Sequence, residues 1–159
     1  MAIEKERKFL LKGLPPKTED GINIKQGYLI VKGTKQFRVR IIDDKYAKIA
    51  YKSKIDSVSK LEFEFDIPLE EAQEMYKSCE HTLEKRRYKT TFDGNIVDID
   101  IYENGSIPPI VEIEFTGELK RLPDYCGEEV TGKREFSNIA IAMKKTIKKK
   151  KVKKPKVKK

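Results

Sequence analysis

Apolar and polar residues alternate with a period of two along most of the first 116 residues, the pattern of β-strands with two different faces. It predicts eight strands, over residues 3–10, 26–31, 36–42, 46–54, 60–67, 82–91, 95–102 and 110–116. Asp93, Gly94 and Asn95 mark a hairpin turn between two of them. The pattern therefore predicts a mainly β chain.

Two helices interrupt or follow the strands. Pro68 suits a first helical turn and is followed by acidic residues, so we expect a helix over 68–79. Ser137 is a plausible N-cap for a second helix, which we expect from about 136 into 143 and the first lysines beyond it. Residues 144–159 hold eleven Lys and a proline, and we predict that they form a disordered tail on a single domain of residues 1–143.

The polar faces of the predicted strands are almost entirely ionic, and acids separate from bases strand by strand. The acidic faces carry Glu4 and Glu6 (with Lys8), Glu62, Glu64 and Asp66, Asp98 and Asp100, and Glu112 and Glu114. The basic faces carry Arg38 and Arg40, Lys48, Lys52 and Lys54, and Lys85 and Arg87. A solvated face explains one such strand, but solvated faces usually mix in Ser, Thr, Asn and Gln and have no reason to separate acids from bases strand by strand. Like charges repel across a sheet, so the arrangement indicates a ligand that supplies the counter-charge.

A closed sheet would direct every second residue into a lumen. We therefore predict an α+β fold that is mainly β, an eight-stranded antiparallel β-barrel tunnel with flanking helices. Burying so many ions is too costly unless the lumen is wet and holds a ligand. A phosphate chain with divalent cations is the natural complement, since carboxylates bind Mg²⁺ or Mn²⁺ and Arg and Lys bind phosphate oxygens.

Charge is unevenly distributed between the body and the tail. The chain has 35 Lys and Arg, 26 Asp and Glu and a formal net charge of +9, but residues 1–143 alone have 24 bases against 26 acids, a net of −2. The tail would attract RNA, DNA, polyphosphate or an anionic membrane by counterion release. A polyanion or nucleic-acid binding module is therefore the non-enzymatic alternative, without sequence specificity because Arg, Gly and aromatic residues are missing from the tail.

A few features bear on the compartment and on catalytic classes. Cys79 and Cys126 are isolated, no apolar h-region opens the chain, and no apolar run approaches a membrane span of ~20 residues. We expect a reduced, cytoplasmic protein without a signal peptide. His81 is the single histidine, which argues against a Ser-His or Cys-His triad and excludes a multi-His metal site.

Short charged motifs follow one another along the chain, beginning with Glu-x-Glu-x-Lys at residues 4–8. The others are Gln-Gly-Tyr-Leu at 26–29, Arg-x-Arg at 38–40, a lysine at 52, Glu-x-Glu at 62–64, Lys-x-Arg at 85–87, Asp-x-Asp at 98–100, Glu-x-Glu at 112–114, and Glu-Val-Thr-Gly at 129–132 followed by Arg134. In this order they resemble the CYTH domain of the triphosphate tunnel metalloenzymes over about residues 1–143.

The resemblance implies an eight-stranded antiparallel tunnel that acts on triphosphates with Mg²⁺ or Mn²⁺. It implies metal ligands at Glu4, Glu6, Asp100, Glu112 and Glu114. It implies phosphate-binding residues at Lys8, Arg38, Arg40, Lys52, Lys85 and Arg87. Glu62, Glu64 and Lys85 are the further catalytic candidates; Glu62 and Glu64 could bind a second metal, orient the attacking water or simply pair with tunnel Arg and Lys.

The resemblance favours hydrolysis of inorganic tripolyphosphate to pyrophosphate and phosphate. Nucleoside, thiamine and RNA 5′-triphosphatases are alternatives, as is a class IV adenylyl cyclase. Cyclases typically have His-Phe-Arg near the first arginine strand, where this chain has Gln36, Phe37 and Arg38. The absence of Trp mildly favours a substrate without an organic moiety.

Overall fold

The computed structural model describes residues 3–153, apart from the side chains of 104 and 148–153. Within that range the chain forms nine strands and two α-helices. These are β1 (Ile3–Leu11), β2 (Ile22–Lys32), β3 (Lys35–Ile42), β4 (Tyr46–Lys54), β5 (Ser59–Asp66), α1 (Leu69–Ser78), β6 (His81–Phe92), β7 (Asn95–Tyr102), β8 (Ile110–Glu114), β9 (Cys126–Glu129) and α2 (Asn138–Lys153). Short 3₁₀ turns cover Glu103–Gly105 and Arg134–Phe136.

The strands form one antiparallel sheet that closes on itself. Their order is β5-β4-β3-β2-β6-β7-β8-β1-β9, and β5 pairs back to β1. The closing ladder is short, because only Ile3, Glu4 and Lys5 pair with β5, whereas Phe9 and Leu11 pair with β9. The predicted eight-stranded barrel is thereby confirmed, with β9 as an additional short strand beside β1.

Apolar side chains lie mainly on the outside of the ring, where other parts of the chain cover them. Under α1, Ala72 packs on Val39, Ile41 and Ala47. The close approach of α1 to β2 depends on Gly27, since a Cβ there would lie 2.7 Å from the Cys79 Sγ. A second outer cluster on β1, β7 and β8 lies under Leu119 and Tyr125 of the segment between β8 and β9.

The second helix covers apolar residues that point into one end of the barrel. Leu83 points inward like Lys85 on β6, and Tyr102 points inward like Asp100 on β7. Both pack against Ile141 and Ala142 of α2. The Tyr102 hydroxyl donates a 2.6 Å hydrogen bond to Asn138 Oδ1. This end of the interior is therefore apolar, and the charged residues occupy the rest.

Two sequence predictions differ from the structure. The short strand β9, Cys-Gly-Glu-Glu, has no apolar alternation and was missed. The second helix is longer than predicted, since α2 runs to Lys153; the predicted disordered tail over 144–159 stays a prediction, and residues 154–159 lie outside the described range. Lys favours helix, and the helix is held by an ion pair from Lys145 to Glu103 and a hydrogen bond from the Thr146 hydroxyl to the Glu80 carbonyl. Within residues 3–153 no helix is long and apolar enough to cross a membrane.

Candidate active site

The barrel encloses a cavity of about 1030 Å³ lined by charged residues. Its bases are Lys8, Arg38, Arg40, Lys52, Lys54, Lys60, Arg87, Lys89, Lys133 and Arg134. Its acids are Glu4, Glu6, Glu62, Glu64, Asp98, Glu112 and Glu114. Ten bases against seven acids give the cavity a formal charge of +3 when all are ionised.

The structure brings most of the predicted site residues together in this cavity. Glu4, Glu6, Lys8, Arg38, Arg40, Lys52, Glu62, Glu64, Arg87, Glu112 and Glu114 all line it. Lys85 and Asp100 do not line it. The period-two alternation selects the inward face of each strand, and the register sets neighbours across strands: Lys8 lies opposite Glu112 and Glu6 opposite Glu114.

Arg38 is buried without a full set of partners. Its Nη2 donates a 2.9 Å hydrogen bond to Glu62 Oε1, while its Nε, also buried, has no partner. Among the described residues no other buried side-chain nitrogen or oxygen is left in that state. An unsatisfied buried donor costs about 1–3 kcal/mol, a cost that an anion in the cavity would remove.

Arg40 is held by an amide and not by an acid. Its Nε and Nη2 donate to Gln26 Oε1 at 2.9 and 2.7 Å, and Gln26 Nε2 donates to the Tyr28 hydroxyl at 2.7 Å. No described carboxylate forms an ion pair with Arg40. Burial, and next the charges of Arg38 and Arg87, lower the pKa of Arg40 to about 10.

Lys52 shows the same excess of positive charge. Burial, followed by repulsion from Arg38, lowers the pKa of Lys52 to about 8. Its ion pair with Glu62 is long, at 3.9 Å between Nζ and Oε2. The cavity therefore carries basic groups that the protein's own acids do not neutralise.

Glu4 and Glu62 share one proton. Burial, and next a hydrogen bond with Glu62, raise the pKa of Glu4 to about 9. Burial opposes ionisation of Glu62, but the hydrogen bond from Glu4 and the charges of Lys52 and Arg38 lower its pKa to about 2.

Two further acids, Glu6 and Glu112, are held by ammonium groups, whereas Glu114 has no such partner among the described residues. Lys60 Nζ lies 2.5 Å from Glu6 Oε1, and Lys8 Nζ lies 3.4 Å from Glu112 Oε1. Burial, and next the charge of Glu6, raise the pKa of Glu114. Among the described residues no three Asp, Glu, His or Cys side chains are already assembled around a metal position. The donors nevertheless are the hard carboxylate oxygens that Mg²⁺ and Mn²⁺ bind, and their mutual repulsion favours a cation.

Lys85 and Asp100 form a buried network beside the cavity. Both side chains are fully buried, with 0% exposure, and Lys85 Nζ donates to Asp100 Oδ2 at 2.9 Å. Arg87 donates from Nε to Asp100 Oδ1 at 2.7 Å and from Nη2 to Oδ2 at 2.8 Å. Arg87 alone of the three lines the cavity. Lys85 and Asp100 are therefore the two predicted site residues that do not line the cavity.

Sequence reasoning missed several lining residues. Lys60, Lys89 and Asp98 continue the same alternation as predicted residues of their strands, so the pattern could have found them. Lys133 and Arg134 lie in the segment before α2, where no periodicity marks side-chain direction. The predicted polyanion binding by residues 144–159 stays a prediction.

Comparisons with known proteins point to one family. No protein-family model matches the chain. An inorganic triphosphatase from Acetivibrio thermocellus is 36% identical over 145 residues, which cover 87% of this chain and 92% of that protein. An inorganic triphosphatase from Nitrosomonas europaea is 30% identical over 149 residues, covering 88% and 97%. A crystal structure of an inorganic triphosphatase superposes with a TM-score of 0.64 and 27% identity, over 88% of this chain and 94% of that one. The chain belongs to the inorganic triphosphatase family.

Proposed function

We propose that this protein hydrolyses inorganic tripolyphosphate to pyrophosphate and phosphate with the help of Mg²⁺ or Mn²⁺. The proposal rests on a closed barrel cavity that is lined by ten bases and seven acids, and on the buried Arg38 Nε, which has no hydrogen-bond partner. The relatives named inorganic triphosphatase support the same reaction.

Charge balance supports this substrate. Tripolyphosphate carries roughly four to five negative charges near neutral pH, since its terminal phosphates lose their second proton near pH 6. A cavity charge of +3 together with one divalent cation comes to +5. A triphosphate with a single cation therefore neutralises the cavity, and smaller anions would leave buried positive charge.

The carboxylates of Glu4, Glu6, Glu112 and Glu114 would hold the cation. All four line the cavity; in the ligand-free protein Glu6 pairs with Lys60 and Glu112 with Lys8, while Glu4 is hydrogen-bonded to Glu62. A bound divalent cation supplies charge neutralisation at phosphate oxygens and makes a water more acidic.

The basic residues would bind and orient the phosphate chain. Arg38, Arg40 and Arg87 offer planar donor groups, and Lys8 and Lys52 offer point charges. As water attacks the terminal phosphorus and the bridging P–O bond breaks, negative charge moves onto the pyrophosphate oxygen, and these cations stabilise it. Glu62, whose lowered pKa keeps it ionised, and Glu64 would accept hydrogen bonds from the attacking water and orient it. The water supplies the nucleophile, so no covalent intermediate is required.

The cavity wall favours an inorganic substrate over a nucleotide, thiamine or RNA. A base or thiazole ring needs a stacking surface, and among the described lining residues the one aromatic side chain is Tyr28, which is 4% exposed. Tyr28 is also engaged by Gln26. The wall therefore offers phosphate contacts and no platform for a ring.

A substrate panel tests the proposal. Purified protein with Mg²⁺ or Mn²⁺ is assayed on tripolyphosphate, ATP, thiamine triphosphate and 5′-triphosphorylated RNA, with phosphate, pyrophosphate and cyclic AMP measured separately. We expect kcat/KM for tripolyphosphate to exceed the others by at least about tenfold, because binding energy here comes from the triphosphate alone. Preferred turnover of an organic triphosphate, or formation of cyclic AMP, would contradict the assignment.

Metal binding should release a proton. Burial raises the pKa of Glu4 to about 9 in the ligand-free protein, and a carboxyl group must lose its proton to bind a cation. Its pKa is raised, so metal affinity should increase with pH from 7 to about 9. Calorimetry of Mn²⁺ binding at pH 7 in buffers of different ionisation enthalpy should report about one proton released. The Glu4→Gln variant should show none, and a wild-type enthalpy independent of buffer would count against the shared proton.

A further inference from the structure

Asp100 differs from the other acids of the barrel because three buried donors of the protein already occupy its two oxygens. Three donors, Lys85 Nζ, Arg87 Nε and Arg87 Nη2, contact its two oxygens at 2.7–2.9 Å. Its side chain is 0% exposed and lies outside the cavity lining. Among the described residues, by contrast, no acid that lines the cavity has more than one basic group as close as these.

We propose that Asp100 is a positioning residue that fixes the guanidinium of Arg87, and not a metal ligand. This inference rests on the proposed triphosphate hydrolysis, which makes Arg87 a phosphate contact. A cation at Asp100 would have to displace two buried basic groups and leave both without this partner, which is strongly unfavourable.

The geometry shows what Asp100 contributes to Arg87. Two parallel hydrogen bonds hold the Nε and Nη2 edge of the guanidinium, which fixes its plane as well as its position. Its Nη1 lies 3.3 Å from Asp98 Oδ2, and its Nη2 lies 3.7 Å from Glu112 Oε2. Without Asp100, these two longer contacts alone would hold Arg87, and the plane of its guanidinium would no longer be fixed for a phosphate.

Lys85 supports the same arrangement from the protected side. Its ammonium lies 5.7 Å from the ring centroid of Tyr102, within the end of the barrel that α2 covers. It is fully buried and does not line the cavity. Its contact with Asp100 keeps the carboxylate ionised and in place, so that both residues act on the substrate through Arg87.

The Asp100→Asn variant separates positioning from metal binding. We expect the dissociation constant for tripolyphosphate, measured by calorimetry without metal, to increase about tenfold or more, and KM to increase similarly where turnover is measured. The dissociation constant for Mn²⁺, followed by electron paramagnetic resonance, should stay within about threefold of wild type. In Glu112→Gln the Mn²⁺ constant should instead rise at least tenfold.

A matched control is available on the surface. Asp93 holds Arg121 with the same two-bond geometry, at 2.7 Å each, but the pair is exposed and outside the cavity. The Asp93→Asn variant should change neither constant. Should Asp100→Asn leave two buried cations unpaired and fail to fold, the double variant Lys85→Met/Asp100→Asn removes one charge of each sign, and the same two constants are measured on it.

The outcomes discriminate clearly. Loss of Mn²⁺ affinity in either variant comparable to Glu112→Gln would make Asp100 a metal ligand and overturn the proposal. Unchanged tripolyphosphate affinity would overturn it as well. A wild type that binds tripolyphosphate but does not hydrolyse it would contradict the proposed function alone, because both binding constants still test the role of Asp100.

Discussion

The Glu6→Gln variant is expected to release phosphate from tripolyphosphate at least about a thousandfold more slowly than wild type with Mg²⁺ or Mn²⁺. Glu6 is 6% exposed, lines the cavity and lies opposite Glu114 in the β1–β8 ladder. The amide keeps the size of the side chain and can still accept a hydrogen bond from Lys60. What it loses is the negative charge that a divalent cation needs, so the loss should appear in kcat and in metal affinity.

The control for Glu6→Gln is Asp66→Asn, a change of the same kind on β5. Asp66 pairs with Lys48 at 2.9 Å at the exposed end of β5 and does not line the cavity. Its turnover should match wild type, and both variants should unfold near the wild-type temperature. Full activity of Glu6→Gln would show that the cation is bound elsewhere.

The direction of each lining side chain on the strands could be predicted from the sequence because it is a local property. In an extended strand, residues two apart share a face whatever the rest of the chain does. Once Glu4 and Glu6 are placed inward, so is Lys8, and the same holds for Arg38 with Arg40. The residues predicted to face the lumen were therefore correct on most strands, although some predicted strand bounds were wrong by several residues.

Depth along the barrel could not be predicted in this way. Asp100 and Arg87 share the inward direction of the cavity residues, yet only Arg87 reaches the cavity. Their depth depends on the register of many strand pairs and on α2, whose Ile141 and Ala142 cover the apolar end next to them. The alternation within one strand predicts neither the register between strands nor the position of α2.

That the segment before α2 contributes to the cavity could not be predicted either, for another reason. Lys133 and Arg134 reach the cavity because the chain passes from β9 across the end of β1, where Val130 N donates to the Lys8 carbonyl at 2.8 Å. That crossing is a tertiary contact between distant parts of the sequence. The helical start of the lysine-rich segment, by contrast, was predicted, and contacts to Glu80 and Glu103 stabilise it further.

Unneutralised positive charge in the empty cavity should lower the stability of the folded protein, and the Lys52→Met variant tests this directly. Its charge is disfavoured by burial and by Arg38, and its pair with Glu62 is too long to compensate. Methionine fills similar space without charge. We expect the unfolding temperature of the substrate-free variant at pH 7 to rise by about 2–6 °C, from a gain on the order of 1–2 kcal/mol. We expect kcat/KM for tripolyphosphate to fall about a hundredfold, since one buried phosphate contact is lost.

The pH dependence of stability checks the cause of this effect. Lys52 has a pKa of about 8 in the folded protein against 10.5 for its ordinary value. Between these values the unfolded chain binds more protons, so the contribution of Lys52 makes wild-type stability rise with pH from about 8 to 10.5. That increment should be missing in Lys52→Met.

Lys48→Met on the same strand is the matched control, because Lys48 lies outside the cavity and its pairs with Asp66 and Glu64 are solvent-exposed. It should change activity little and stability by less than about 1 kcal/mol. Tripolyphosphate should raise the unfolding temperature of wild type and Lys48→Met more than that of Lys52→Met, because the anion supplies the counter-charge that only the first two still need in full. A lower unfolding temperature for substrate-free Lys52→Met would mean that the cavity acids already neutralise this lysine, and that the excess positive charge does not exist to be matched by a triphosphate.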